Sequence, residues 1–341
     1  MQTETSNSFK RSPFEPDIAW LRAVDQWLRH YLKLESGANI FPLLHIVAYY
    51  IFFVAAIFPG FIESPFLLFL DWCFVVLLNY SLSIGVLHLH AHRRLFESHV
   101  LNRIVEFFLC FPSVVSYPMM RYMHVYQHHI YSNGHGDRTS TQGYEHGWRA
   151  VGYWIRYAAI CQRETAKGLF GNEASSGWRK FRIQHVTDTL GTIGLVLVLF
   201  IFVDTARVAL FWHLPLAIVF VNIGFFAWLT HAPAFDGELN GSLNTTNRWA
   251  NVLMHNQGYH VVHHRFPGIH WTQIPSQLDV MLEVDKRLIV PYWVTLPSVW
   301  RITKPHKFHN AEYGAEWKES YLSKRESNQL RLKAMPYFGW I

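Results

Sequence analysis

Two long apolar stretches, residues 40–62 and 66–87, stand early in the chain, and two more, 189–205 and 208–230, follow a long polar interval. Each is close to the roughly 20 residues that carry a helix across a hydrocarbon core. Pro59-Gly60 to Pro65 predicts a tight turn inside the first pair, and Asp204–Arg207 joins the second. Pro215 falls near the start of the last stretch, where proline is tolerated. Residues 101–120 are also apolar, but Pro112 and Pro118 interrupt them, which predicts a re-entrant or interfacial segment more than a full crossing. Ahead of the first pair, with Asp17 as N-cap, Ile18, Leu21, Val24, Leu28 and Leu32 recur at helical spacing. Arg22, Asp25, Arg29 and Lys33 lie between them, and Trp20, Trp27 and Tyr31 add amphipathic bulk. This predicts a helix lying in a membrane interface, although a soluble packing helix has the same signature. Residues 1–15 read as disordered and the tail after His309 as a charged surface segment.

Lysine and arginine settle the expected orientation. Segments 1–39, 90–188 and 232–341 hold nearly all of them, while the two short turns hold only Arg207. Cytoplasmic loops carry such an excess, so both termini and the large loop are expected on the cytoplasmic side. The fold class expected is an all-α membrane protein: four transmembrane helices in two hairpins, with a cytoplasmic helical cap. It forms one integral-membrane domain over residues 1–341, with 1–39 an N-terminal interfacial segment and 310–341 a polar C-terminal tail.

Composition agrees with this reading. Half the residues are hydrophobic and 16% are charged, and the 26 Phe, 16 Tyr and 14 Trp suit interfacial belts. The net charge of +6 reads as the positive-inside bias, and no nucleic-acid partner is expected. Cys73, Cys110 and Cys161 are scattered and no C-x-x-C occurs, so neither a disulfide framework nor a thiolate metal site is supported. The opening MQTETSNSFKRSPFEPD has no apolar core, so a cleaved signal peptide is not expected.

Histidine changes the picture. It occupies 21 of 341 positions, so a given triplet spacing is expected about 0.08 times by chance. Yet His260, His263 and His264 form H-x-x-H-H, and His124, His128 and His129 form H-x-x-x-H-H; His88 and His92 add H-x-x-x-H. On a helix the first triplet shares one face. In the second, His124 and His128 share a face while His129 points about 100° away, so one helix could feed both metals of a pair. His231 ends the last apolar stretch and is either a ninth donor or an ordinary interfacial histidine. All these positions fall on the expected cytoplasmic side. Nine imidazoles exceed the three or four that one zinc takes, which points to two metals and a dinuclear site in the cap. Imidazole suits zinc, copper, iron and nickel alike, so ligand type does not choose among them. A metal transporter is the rival class, but transporters place ligands near the bilayer midplane. Here the midspan regions hold little beyond Asp71 and His45.

Other residues near the boxes invite secondary roles. His90, His99, His135, His146, His255 and His270 are candidates for orienting ligands. Asp137, Arg138 and Thr139-Ser140-Thr141 could support histidines or a head group. Arg121 and Arg138 could pair with a carboxylate, or simply belong to the positive-inside charge.

The boxes HLHAHRRLF, HVYQHHIYSNGHGD and NQGYHVVHHRFP resemble those of the membrane fatty acid desaturase–hydroxylase superfamily, the histidine-box di-iron oxidases. The resemblance extends over most of residues 40–275. It implies two non-haem irons that activate dioxygen with two externally supplied electrons, held by His88, His92, His124, His128, His129, His231, His260, His263 and His264. It implies a fatty acid or fatty acyl substrate. The family often places an asparagine near one iron; Asn222 and Asn256 are candidates, though neither has a diagnostic spacing to His231. The first two box spacings look like the alkane ω-hydroxylase branch, whereas Arg93-Arg94-Leu95-Phe96 and GYHVVHHRFP look like bacterial fatty acid desaturases. Membrane enzymes that decarboxylate fatty acids to terminal alkenes are similar too. Desaturation, terminal hydroxylation and loss of carbon dioxide therefore stay open at this point. No C-x-x-C-H, G-x-G-x-x-G or H-P-G-G occurs, so the resemblance implies an external electron donor: a ferredoxin, a rubredoxin, or a cytochrome with its reductase. A bacterial inner membrane is the implied location.

Overall fold

A computed structural model of the chain describes residues 19–113, 115–133, 137–141, 143–144, 149–170, 176–232, 242–278 and 289–291. The expectations for residues 1–15, Asp17, His135, His146 and the tail lie outside these. Among the described residues the chain is mostly helical. Helix α1 spans Ala19–Leu32. Leu28 and Leu32 pack toward the main core, and buried Asp25 accepts the Gly37 backbone N–H at 2.6 Å. Trp20, Val24, Trp27 and Tyr31, on an adjacent face, are exposed.

Among the described residues, four helices are long and apolar enough to cross a membrane: Gly37–Ile57, Pro65–His92, Arg179–Phe202 and Thr205–His231. We call the first two α2 and α3, the third, from its first turn at Ser176, α7, and the fourth α8. Their bounds differ from the apolar stretches for local reasons. Helix α2 stops at Ile57 because Pro59 cannot extend it and Gly60 takes a positive φ of 96°. Helix α3 starts with Pro65 behind its cap Ser64, where proline costs nothing, and runs through the first histidine box. Residues 101–120 break as the prolines predict. Helices α4 (His99–Ser113) and α5 (Tyr117–Tyr131) meet at 84°, with Pro112 in the last turn of α4 and Pro118 in the first of α5.

Side chains with polar tips stitch these helices together where lipid offers no partner. Trp72 Nε1 donates to Leu210 O (2.9 Å), Tyr50 Oη to Phe108 O (2.6 Å), and Arg207 Nη1 to Ala56 O (2.8 Å). The last bond brings the two inter-helix turns together. The largest core cluster lies between α2, α3, α4 and the start of α8, around Tyr49, Leu82, Leu109, Phe111 and Trp212.

The rest of the described chain builds onto the far ends of α3 and α8. Helix α6 spans Arg149–Phe170; α9 (Arg248–Met254), α10 (His260–Arg265) and α11 (Ile274–Leu278) follow α8. Strands β1 (Asn244–Thr245) and β2 (Ile289–Val290) form a short parallel pair. Gly85, on α3, lets α9 approach closely: a Cβ there would stand 2.7 Å from His255 Nδ1 and 2.8 Å from Leu253 O. That contact seats the third histidine box against the first.

Candidate metal centre

Nine histidines from α3, α5, α8 and α10 converge into two groups. His88, His92, His124, His129 and His263 form one; His128, His231, His260 and His264 form the other, and within each group the donor atoms lie within 4.8 Å of one another. His231 thus joins the boxes through His260, Nε2 to Nε2 at 2.9 Å.

The division follows local helix geometry rather than box membership. In α5, residues Tyr122–His128 adopt a π-helical turn, whose i→i+5 bonding widens the helix. His124 and His129, five apart, therefore come to 2.9 Å, and His128 turns to the other group. This differs from the pairing of His124 with His128 that regular α geometry predicts. In α10, His260 and His264, four apart, share the second group (3.1 Å), while His263 reaches across to the first. The box expected to present one face serves both groups because it lies between them.

These nitrogens are too close for neutral rings alone. His263 Nε2 stands 2.9 Å from His88, 2.8 Å from His129 and 3.4 Å from His124, in each case facing Nε2. A neutral imidazole carries a single N–H, so one atom cannot satisfy three such contacts and the remaining lone pairs repel. A cation between them removes the conflict. Nitrogens about 2.0–2.1 Å from a metal lie about 2.9 Å apart on an octahedral edge and about 3.4 Å on a tetrahedral one. His92 Nε2, buried with no hydrogen-bond partner, is left in the same position. Burial, with help from neighbouring rings, holds His260, His263 and His264 well below the usual histidine range, so they stay neutral donors.

Among the described residues, the Asp137 carboxylate stands directly behind this constellation. Asp137 Oδ2 accepts from His128 Nδ1 (2.7 Å) and from the Asn133 N–H (3.0 Å); Oδ1 accepts from Thr139 N (2.8 Å) and Thr139 Oγ1 (2.7 Å). Burial pushes this carboxyl up, but the His128 ring and the Thr139 hydrogen bonds outweigh it and hold it below the usual value. The arrangement presents His128 Nε2 to its group. A second buried polar group near the centre was not legible in the sequence. Behind the first box, His90 Nδ1 accepts the Leu95 N–H (3.2 Å), and Nε2 faces buried Glu106 at 3.6 Å; Gln184 Nε2 donates to the same carboxylate at 2.6 Å. No spacing links residues 90, 106 and 184.

The remaining candidates lie elsewhere. His99 meets Arg94, and His270 meets Asn39 Oδ1 (3.1 Å). His255 packs among Phe41, His45 and Trp271. Asn222 bonds Ile218 O and Asn256 bonds Trp271 O, so neither amide is directed to a histidine group. Arg138 pairs with Glu164, and Arg121 lies 5.7 Å over the Tyr126 ring.

A narrow slot of about 140 Å³ adjoins both groups, with His88, His124, His128, His231 and His260 in its wall. Leu87, Met119, Met123, Ile223 and Phe226 supply much of the rest, and no lysine, arginine or carboxylate lines it among the described residues. Such a slot suits an uncharged chain.

Comparison with known proteins points the same way. A model of the fatty acid desaturase family matches residues 64–296, more than half of the chain and all the clustered histidines. No curated protein and no solved structure matches the chain.

Proposed function

The chain belongs to the fatty acid desaturase family, and from that premise we propose that it is an oxygen-dependent, non-haem di-iron oxidase that desaturates fatty acyl chains. The single observation that carries this reading is the pair of histidine groups opening onto one uncharged slot. His88, His92, His124, His129 and His263 would hold one iron, and His128, His231, His260 and His264 the other. When bound, the two irons supply dioxygen activation, using two electrons from an external ferredoxin, rubredoxin or cytochrome with its reductase.

The protein's part is positional. Asp137 keeps the His128 proton on Nδ1, leaving Nε2 free as a donor. The apolar wall holds a methylene chain beside the histidines, each buried methylene contributing about 0.8 kcal/mol. Holding one carbon in reach decides where hydrogen is removed.

The same reading makes the chain an integral membrane protein, its four spans arranged as two hairpins in a bacterial inner membrane. The Arg207–Ala56 bond between the two turns supports the hairpins, and the basic segments support a cytoplasmic centre. The exposed aromatic face of α1 then lies in the interface.

The test is mass spectrometry of products from purified protein given isotope-labelled acyl substrates, oxygen and a reductant. Loss of two hydrogens along the chain is expected. A hydroxylated chain or a terminal alkene would replace desaturation by the other outcomes, and an oxygen-dependent product only from an unrelated polar metabolite would overturn the lipid assignment.

A further inference from the structure

The slot beside the histidines has a direction. On α3 its lining runs from Ser83 to His88, on α5 from Met119 to His128, and on α8 from Ile223 to His231. In each helix the histidine comes last, and among the described residues no later position on these three helices lines the slot. Helix α6 runs the other way. Tyr153 stands at the histidine end, where its hydroxyl donates to Thr139 O at 2.7 Å, and Thr139 Oγ1 lies 3.4 Å from His128 Nδ1. Thr165 marks the far end. Its carbonyl accepts from His185 Nε2 (3.2 Å), and His185 Nδ1 accepts from Ser116 Oγ (2.6 Å), the N-cap of α5. The rise from Tyr153 to Thr165 is about 18 Å, all of it on one side of the histidines.

Burial follows the same direction along the two flanking helices. Tyr153 on α6 and Thr230 and His231 on α8 are buried, whereas Tyr157, Cys161 and Thr165 on α6, and Ile223 and Phe226 on α8, are half-buried. The slot is therefore closed at the histidines and opens between α6 and α8 away from them. Behind the closed end stand Asp137, bonded to Thr139, and α10, whose Val261 and Val262 are fully buried. At the open end Ile223 lies about 12 Å along α8 from His231, within the apolar run of that helix.

We propose that the slot takes its substrate end-on: one terminus of an acyl chain enters between α6 and α8 and stops against the histidines. The carbons presented to the metal centre are then the last few of the chain, not interior methylenes. This rests on the reading of the slot as the acyl site. A chain that reacts in its interior must continue past the centre on both sides, and here the lining continues on one side only. Doubling back is excluded by width. About 140 Å³ spread over about 18 Å leaves room for a single methylene chain. Desaturation in this protein accordingly falls within the last few carbons of the terminus that enters.

The experiment uses the purified full-length protein with its metals and without reductant, so that nothing turns over. Medium-chain fatty acids carrying a photoreactive diazirine beside the methyl group, at mid-chain or beside the carboxyl group are bound and irradiated, and the labelled residues are mapped by mass spectrometry. One of the two end-labelled probes should mark Tyr153, Thr230 or Leu87, and the one that does identifies the entering terminus. The mid-chain probe should mark Cys161, Thr165 or Ile223, and excess unlabelled fatty acid should abolish both signals. A mid-chain probe that marks the histidine end, or no competed labelling of the slot by any probe, overturns the proposal. The oxidase reading is tested separately. An end probe at the histidines with no oxygen-dependent product once reductant is added would remove that reading and leave the end-on geometry standing.

Discussion

Replacing Asp137 by asparagine should loosen one metal and spare the other. The carboxylate accepts four hydrogen bonds, two at each oxygen: His128 Nδ1 and Asn133 N at one, Thr139 N and Oγ1 at the other. An asparagine keeps one acceptor. If its oxygen faces His128, its NH2 confronts the Thr139 N–H; if turned round, its NH2 confronts the His128 Nδ1–H. Either way a buried donor loses its acceptor, at a cost of about 1–3 kcal/mol. The second orientation also drives the His128 proton to Nε2, the atom that must stay free. Loss of such a support typically weakens metal affinity by about 10–100-fold, or about 1.4–2.8 kcal/mol. Only His128, in the group with His231, His260 and His264, feels it directly. The assay is iron removal by a graded chelator, with metal counted per chain by mass spectrometry. The expected curve has two steps, the step that belongs to the His128 group shifted by that factor and the other unmoved. Equal loss of both metals, or a curve like the parent's, would refute the reasoning.

Gly85→Ala should lower the thermal midpoint by an amount equivalent to about 1–3 kcal/mol, because its Cβ would meet His255 and the Leu253 carbonyl at 2.7 and 2.8 Å; a rise, as helix propensity alone predicts, would contradict the close approach. Acid should destabilise the metal-free protein. Burial, with neighbouring charge, brings His255 and His270 down to about 3 from the ordinary 6.5, so unfolded chains bind protons that the folded state refuses. Their contribution is complete above pH 6.5 and is lost as pH falls toward 3, about 2 kcal/mol each by pH 5; His255→Asn, which tolerates the left-handed backbone at φ 50°, should flatten that slope in thermal melts. Reporter tags at the N-terminus, beside Ala150 and at the C-terminus should all report cytoplasm, and one beside Glu63 the opposite face; an external Ala150 tag would put the second box on the wrong side.

What the sequence determined by itself is what repeats or is rare along the chain. Four apolar runs of membrane length needed only counting, since a backbone in lipid must satisfy its own hydrogen bonds and a helix does so within its own segment. Pro112 and Pro118 announced the 84° break, because proline lacks an N–H and blocks the turn before it. The histidine boxes stood out by improbability. Tertiary structure alone decided how the nine rings divide. The partition turns on a π-helical turn at Tyr122–His128, which moves His129 beside His124, and regular α periodicity assigns that pair otherwise. It also turns on Gly85, an ordinary glycine in an apolar run until α9 is packed against it. Asp137 could be suspected from its place beside the second box. Glu106, brought behind His90 from a separate helix and met there by Gln184 from a third, could not. Such contacts join residues far apart in the chain, and local pattern carries no information about which distant side chain will fill a given space.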